Sequence, residues 1–149
     1  LAWSRGLGDV YKRQVVGHAA VTTVQALDLG TFLMLNDDAQ HEITINTNVS
    51  YSYDSGFVLI VAPQEGIFDL DGLDSLRAVS SVTASQNSPI SGGTGSFEMY
   101  DFQTSHPGVT DADGTLEVTV GMTVSSSGTG TSYSDTTRTG SIQLTVNYL

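Results

Sequence analysis

The chain has 149 residues, no cysteine and a formal net charge of −11, a length that suits one domain with its own hydrophobic core and a composition that excludes a disulfide framework or a thiolate metal site. From Val15 onward two arginines face fifteen acidic residues, a net of −13 without a single lysine. That excludes the cationic surface needed for nucleic acid or an anionic membrane, and it excludes lysine-based isopeptide crosslinks within the domain.

Leu1–Gln14 holds Arg5, Lys12 and Arg13, most of the basic charge, together with the only tryptophan, Trp3. Asp9-Val10-Tyr11-Lys12-Arg13-Gln14 resembles the translation of a transposon end used to prepare sequencing libraries. Residues 1–14 are therefore set aside from fold reasoning as a tag would be, which implies that the native start is missing; the rival reading is a genuine basic arm. Residues 15–19, Val-Val-Gly-His-Ala, are small and apolar. They read either as a signal-peptide remnant, with Gly17 and Ala19 before the cut, or as the lead into a first strand. The domain proper is expected over 20–149.

Ala20–Met34 reads as a strand bent at Gly30, and Asn36-Asp37-Asp38 as a turn. His41–Asn46 gives a short strand with Ile43 and Ile45 inward. Asn48–Gly56 is polar, with Tyr51 and Tyr53, and suits a loop or an edge. Phe57–Val61 is a continuous apolar run, which predicts a central strand covered on both faces and ended by Pro63. Gly66–Asp71 places Phe68 and Leu70 inward. Leu76, Ala78, Ser80, Val82 and Ala84 alternate with Arg77, Val79, Ser81 and Thr83, Ser85–Gly95 reads as a loop, and Phe97–Phe102 as a short aromatic strand. Pro107-Gly108 and Asp111-Ala112-Asp113-Gly114 are turn formers.

Two stretches carry the clearest pattern. Leu116, Val118, Val120, Met122 and Val124 alternate with Glu117, Thr119, Gly121 and Thr123; Ile142, Leu144, Val146 and Tyr148 alternate with Gln143, Thr145 and Asn147. A period of two means one buried face and one solvated face. Joined by the Ser/Gly/Thr-rich stretch 125–137, the two strands are expected to be antiparallel neighbours. No stretch has helical spacing and no apolar run approaches the ~20 residues that span a bilayer. The fold class is all-β, an antiparallel sandwich.

Chemistry-bearing constellations are weak. Asp69 and Asp71 share the solvent face of a strand, where nothing raises a carboxyl pKa for acid–base work. Asp111 and Asp113 resemble the start of a calcium loop, but the fifth and twelfth positions are Thr115 and Met122, where an EF-hand needs an oxygen ligand and a glutamate. His41 and His106 lack zinc-site spacing. There is no G-x-S-x-G elbow and no phosphate-cradling glycine loop. Tyr51, Tyr53, Tyr100 and Tyr133 could form a sugar-stacking platform but suit ordinary sheet positions equally. The expectation is a protein that is not an enzyme and needs no cofactor.

Gly95-Ser96-Phe97-Glu98-Met99-Tyr100-Asp101-Phe102, Asp113 through Gly121 and the closing Thr139-Gly140-Ser141-Ile142-Gln143-Leu144-Thr145-Val146-Asn147-Tyr148 carry a family resemblance, with Leu27–Phe32 and Gly66–Gly72 nearer the start. In these motifs the chain resembles the secreted bacterial domain-of-unknown-function family numbered 4402, which is similar to spore-coat-U-type and other fimbrial subunits. The resemblance implies an immunoglobulin-like sandwich exported to the bacterial cell surface. Its relatives include pilins that lack a final strand and accept one from a neighbour. No strand follows Ile142–Tyr148 to cover its edge, so an incomplete edge is expected there, lined by Ile142, Leu144, Val146 and Tyr148 with Val21 and Val24. Little sequence precedes Val24 to serve as a donor arm, a departure from the pattern. The expected function is a secreted, pilin-like structural subunit that associates with itself or with other fimbrial subunits. The alternative is a carbohydrate- or calcium-binding adhesin module.

Overall fold

A computed structural model describes residues 2–3, 8–11, 20–35, 37–128 and 132–149, the first two stretches by their backbone alone. The expected signal-peptide remnant at 15–19 lies outside the described residues. Within them the chain is all-β, with no helix and therefore none long and apolar enough to cross a membrane.

The strands in chain order are β1 (Ala2–Trp3), β2 (Gly8–Tyr11), β3 (Ala20–Gln25), β4 (Thr31–Met34), β5 (Glu42–Ile45), β6 (Tyr51–Tyr53), β7 (Phe57–Val61), β8 (Gly66–Asp71), β9 (Val79–Ser91), β10 (Phe97–Ser105), β11 (Leu116–Ser126) and β12 (Thr139–Tyr148). They form a sheet in the order β1-β2-β12-β9, a sheet in the order β3-β8-β11-β5-β6 with β10 also on β11, and a separate β4-β7 ribbon. The two larger sheets close face to face. Ile43, Ile45, Phe68, Leu70 and the β11 set Leu116, Val118, Val120, Met122 and Val124 meet Val79, Val82, Ile142 and Leu144 in one core. Nine of these thirteen side chains come from the β11 sheet, so that sheet is the floor on which the rest is laid.

β11 is the organising strand, and its alternation predicts its inner face correctly. Its first half pairs with β8 (Leu116↔Leu70 to Val120↔Gly66) and its second half with β5 (Met122↔Ile45 to Ser125↔Glu42), while β10 runs along the opposite edge. The handover falls at Gly121, where a Cβ would stand 2.3 Å from the Ile45 carbonyl oxygen. Only glycine lets the incoming chain approach that closely. Opposite it β10 bulges between Tyr100 and Gln103, with Asp101 in the left-handed region at φ 49°. Beyond Gly121 the outer face is covered as well: Thr123 and Ser125 are buried, and Thr123 Oγ1 shares a hydrogen bond of 2.9 Å with Thr44 Oγ1. The solvated face expected from the sequence therefore ends at Thr119.

Several expectations are corrected. β11 and β12 are not neighbours; β12 pairs with β9 from Thr139↔Ser91 to Tyr148↔Val79 in the opposite sheet. Their common pattern reports a shared core, which two facing strands satisfy as well as two adjacent ones. Ala20–Met34 is two strands in different sheets. The chain turns at Gly30 (φ 75°), where a Cβ would lie 2.2 Å from the Val61 carbonyl oxygen. Phe57–Val61 is not central: Phe57 is buried, but Val58, Ile60 and Val61 are exposed. β9 begins at Val79 rather than Leu76, which is 73% exposed, and its strand runs on through the expected loop to Ser91.

Candidate functional site

Among the described residues the sheets are incompletely paired on the side of the sandwich bounded by β12 and β3. One edge of β12 is held along its length by β9. The other is met only over Ser141–Leu144, where the backbone of β2 lies parallel to it (Ser141↔Gly8 to Leu144↔Tyr11). Among the described residues no strand pairs with that edge of Thr145–Asn147. In the facing sheet β3 pairs with β8 and, on its other side, with no described strand. β1 and β2 pass within 8 Å of β3, Cα to Cα, so both incomplete edges open on the same side. Unpaired N–H and C=O groups on an edge are a template for another strand.

The side chains expected at this edge are distributed as follows. Ile142 and Leu144 are fully buried, so what they offer a neighbour is backbone. Val146 and Tyr148 are half-buried and pack on the core rim. Tyr148 is anchored: the Arg77 guanidinium lies 5.5 Å from its ring centroid, and its hydroxyl accepts the Asp74 N–H at 3.4 Å. Val21 faces inward opposite Leu70 and is half-buried, and Thr23, opposite Phe68, is on the inner face yet exposed. The inner face of β3 is thus only partly roofed. Val24 does not join Val21. It is the extra residue of a register shift between Thr23 and Gln25 and is 57% exposed.

Asp111 is committed to its own turn. Its Oδ1 accepts the N–H groups of Asp113 (3.0 Å) and Thr115 (2.7 Å), an Asx turn rather than an open ligand. Asp69 stands directly across from Glu117 on the outer face, and with Asp111 they border an open depression of about 470 Å³. Among the described residues no group of three or more His, Asp or Glu is arranged to hold a metal.

The four tyrosines do not form one platform. Register puts Tyr51 and Tyr53 on the Ile45 and Ile43 side of the sheet, whereas Tyr100 lies on the outer face opposite Thr123. Tyr133 packs against Phe97 with centroids 5.2 Å apart. Tyr51 and Tyr53 do stack with each other, 6.4 Å apart and tilted 21°, and are about half exposed. Tyr100 hydrogen-bonds the Glu42 carboxylate, and that bond pushes its phenol up to about 12.

Sequence reasoning missed a buried histidine clamp. His41 Nε2 meets Asp37 Oδ1 at 2.8 Å and Nδ1 meets Asp54 Oδ1 at 2.9 Å, with the side chain 9% exposed. The Asp37 hydrogen bond raises the His41 pKa against the opposing effect of burial. The same bond lowers that of Asp37. Burial pushes Asp54 up, but the Glu42 and Gly56 N–H groups and the imidazole outweigh it, so its pKa is lowered. The Asp37-to-His41 spacing was visible in the sequence; the third member, Asp54, was not. His106 is elsewhere, its Nδ1 accepting the Gly108 N–H at 3.1 Å. Both imidazole nitrogens of His41 are spent on carboxylates on opposite sides, so the cluster ties two loops together.

Searches of protein-family models, curated proteins and solved structures give no significant match to this chain.

Proposed function

We propose that this domain is a non-enzymatic structural subunit of the bacterial cell surface, pilin-like in its resemblance, which assembles by taking a strand from a neighbouring subunit into the side between β12 and β3. One observation carries the reading: among the described residues both sheets have an incompletely paired edge on that side. Strand addition draws its affinity from main-chain hydrogen bonds, and alternate side chains filling the gap supply selectivity. The partly roofed inner face at Val21 and Thr23 is where such side chains would go.

The test is light scattering and sedimentation across concentration on the full chain, beside a Val146→Lys variant. A charge pointing inward from an edge strand opposes further pairing. The parent should form oligomers that grow with concentration, and the variant should stay monomeric with an unchanged far-ultraviolet spectrum. A parent that is monomeric throughout would remove the proposal.

The stacked, half-exposed Tyr51–Tyr53 pair favours a second reading, a carbohydrate-binding adhesin module, since aromatic faces suit sugar rings. Glycan-array binding that Tyr53→Ala abolishes would support it. The calcium version is less favoured, because Asp111 already spends one carboxylate oxygen on two backbone amides.

A further inference from the structure

The β4–β7 ribbon presents an apolar face that no described part of the chain covers. Its inner face, Phe32, Met34, Phe57 and Leu59, packs on the core. Its outer face carries Leu33 and Val58, directly opposite each other, and Ile60, at 61%, 54% and 62% exposure. Leu35 and Val61 extend the patch at 49% and 54%. β4 and β7 pair only with each other among the described strands, and no described strand pairs with either outer edge. Exposed edges are ordinarily blunted by lysine, proline or inward charge, and Thr-Phe-Leu-Met and Phe-Val-Leu-Ile-Val contain none of these. A contiguous apolar patch on an otherwise strongly acidic surface marks an interaction site.

Charge decides what can cover it. At one end of the ribbon Leu35 N–H donates to the Gly56 carbonyl at 2.8 Å, and the flanking turns carry Asp37, Asp38 and Asp54. At the other end Asp28 bridges to Gln64. No lysine or arginine occurs between Arg13 and Arg77. Arg77 lies over Tyr148, and Arg138 lies over Phe97 and donates to the Gly95 and Thr94 carbonyls. Among the described residues the rim therefore has carboxylates and no lysine or arginine of its own. A second copy, at −13 over the same residues, would bring like charge to like.

We propose that the ribbon binds a polypeptide partner presenting an extended segment of alternating aliphatic and basic residues. The backbone of that segment pairs with a ribbon edge, its aliphatic side chains cover Leu33, Val58 and Ile60, and its cations meet Asp28, Asp38 and their neighbours. This surface is separate in its residues from the β12–β3 side, so it stands or falls independently of subunit assembly.

The probe is a fluorescent peptide of alternating valine and lysine, compared by anisotropy titration with serine–lysine and valine–glutamate peptides of equal length. The valine–lysine peptide should bind at least about tenfold more tightly than either control. Leu33→Ser/Val58→Ser/Ile60→Ser and, separately, Asp28→Asn/Asp38→Asn should each weaken it by about tenfold. Thermal unfolding checks that each variant is folded, and a single Ile60→Thr substitution replaces the triple variant should that one not fold. Equal binding of the serine–lysine peptide would reduce the effect to bulk charge and overturn the proposal. Parent-like binding by the ribbon variant would do the same.

Discussion

Replacing Ile60 by serine should leave the domain nearly as stable as before, whereas replacing Leu144 by alanine should cost about 3 kcal/mol. Leu144 is fully buried between the sheets; removing it forfeits the transfer free energy of the lost carbons and leaves a cavity that close-packed neighbours fill poorly. Ile60 is 62% exposed on the ribbon's outer face. Full burial of such a side chain stabilises by about 1.5–3 kcal/mol, so losing the smaller buried part costs under about 1 kcal/mol. In a domain of this size each kcal/mol moves the midpoint by about 3–4 °C. The alanine variant should melt about 10 °C lower, and the serine variant within about 3 °C of the parent. Thermal and urea unfolding followed by circular dichroism read both. A loss of about 3 kcal/mol or more for Ile60→Ser would mean that β7 is covered on both faces, as its sequence alone suggests, and the ribbon described here would be wrong.

The His41 clamp makes stability depend on pH in a defined direction. The folded-state pKa of His41 is raised above its usual value of about 6.5, so its contribution is full below that value and is lost as pH rises through the folded pKa. Asp37 and Asp54 are lowered, so theirs is present above the usual carboxylate value of about 3.9 and is lost as pH falls through the folded pKa values. The unfolding midpoint should therefore be highest between about pH 4 and 6.5, and His41→Gln should flatten its alkaline decline; an unchanged decline would assign it to other groups. Gly56→Ala should destabilise by about 1–3 kcal/mol, because the new Cβ would sit 2.0 Å from the His41 ring; an unchanged urea midpoint would contradict that packing. Calcium at millimolar concentration should leave the melting temperature where it is, while Asp111→Ala should lower stability by about 1 kcal/mol through loss of the turn. A calcium-dependent rise in the parent that the variant lacks would reinstate the ion site.

Alternation was legible because it is local. Leu116–Val124 and Ile142–Leu144 sit in the core as their period of two demands, and Ile43, Ile45, Phe68 and Leu70 follow the same rule. Which strands pair was not legible, since β11 and β12 carry the same pattern whether side by side or face to face. Phe57–Val61 misled for a related reason. A continuous apolar run reports that both faces are apolar, not that both are covered. Val24 misled because it stands three residues from Val21, an odd spacing that puts the two on opposite faces of a strand, and it is also the extra residue of a register shift. At the candidate site the sequence grouped Val21 and Val24 with the β12 edge, but it could not show that β3 belongs to the facing sheet, on the edge of β8. The histidine clamp needed Asp54, brought in from a turn beyond β6 by tertiary structure alone.

Amide hydrogen exchange along the two edges tests assembly most directly. In the dilute full chain, amides of Thr145–Asn147 that point away from β9, and those of β3 that point away from β8, should exchange fast beside the slow amides of Val118 and Val120. At assembling concentration the same edge amides should slow together. Edge amides as protected in the dilute monomer as those of Val118, with no change on concentration, would mean that the side is already closed and that no neighbour's strand belongs there.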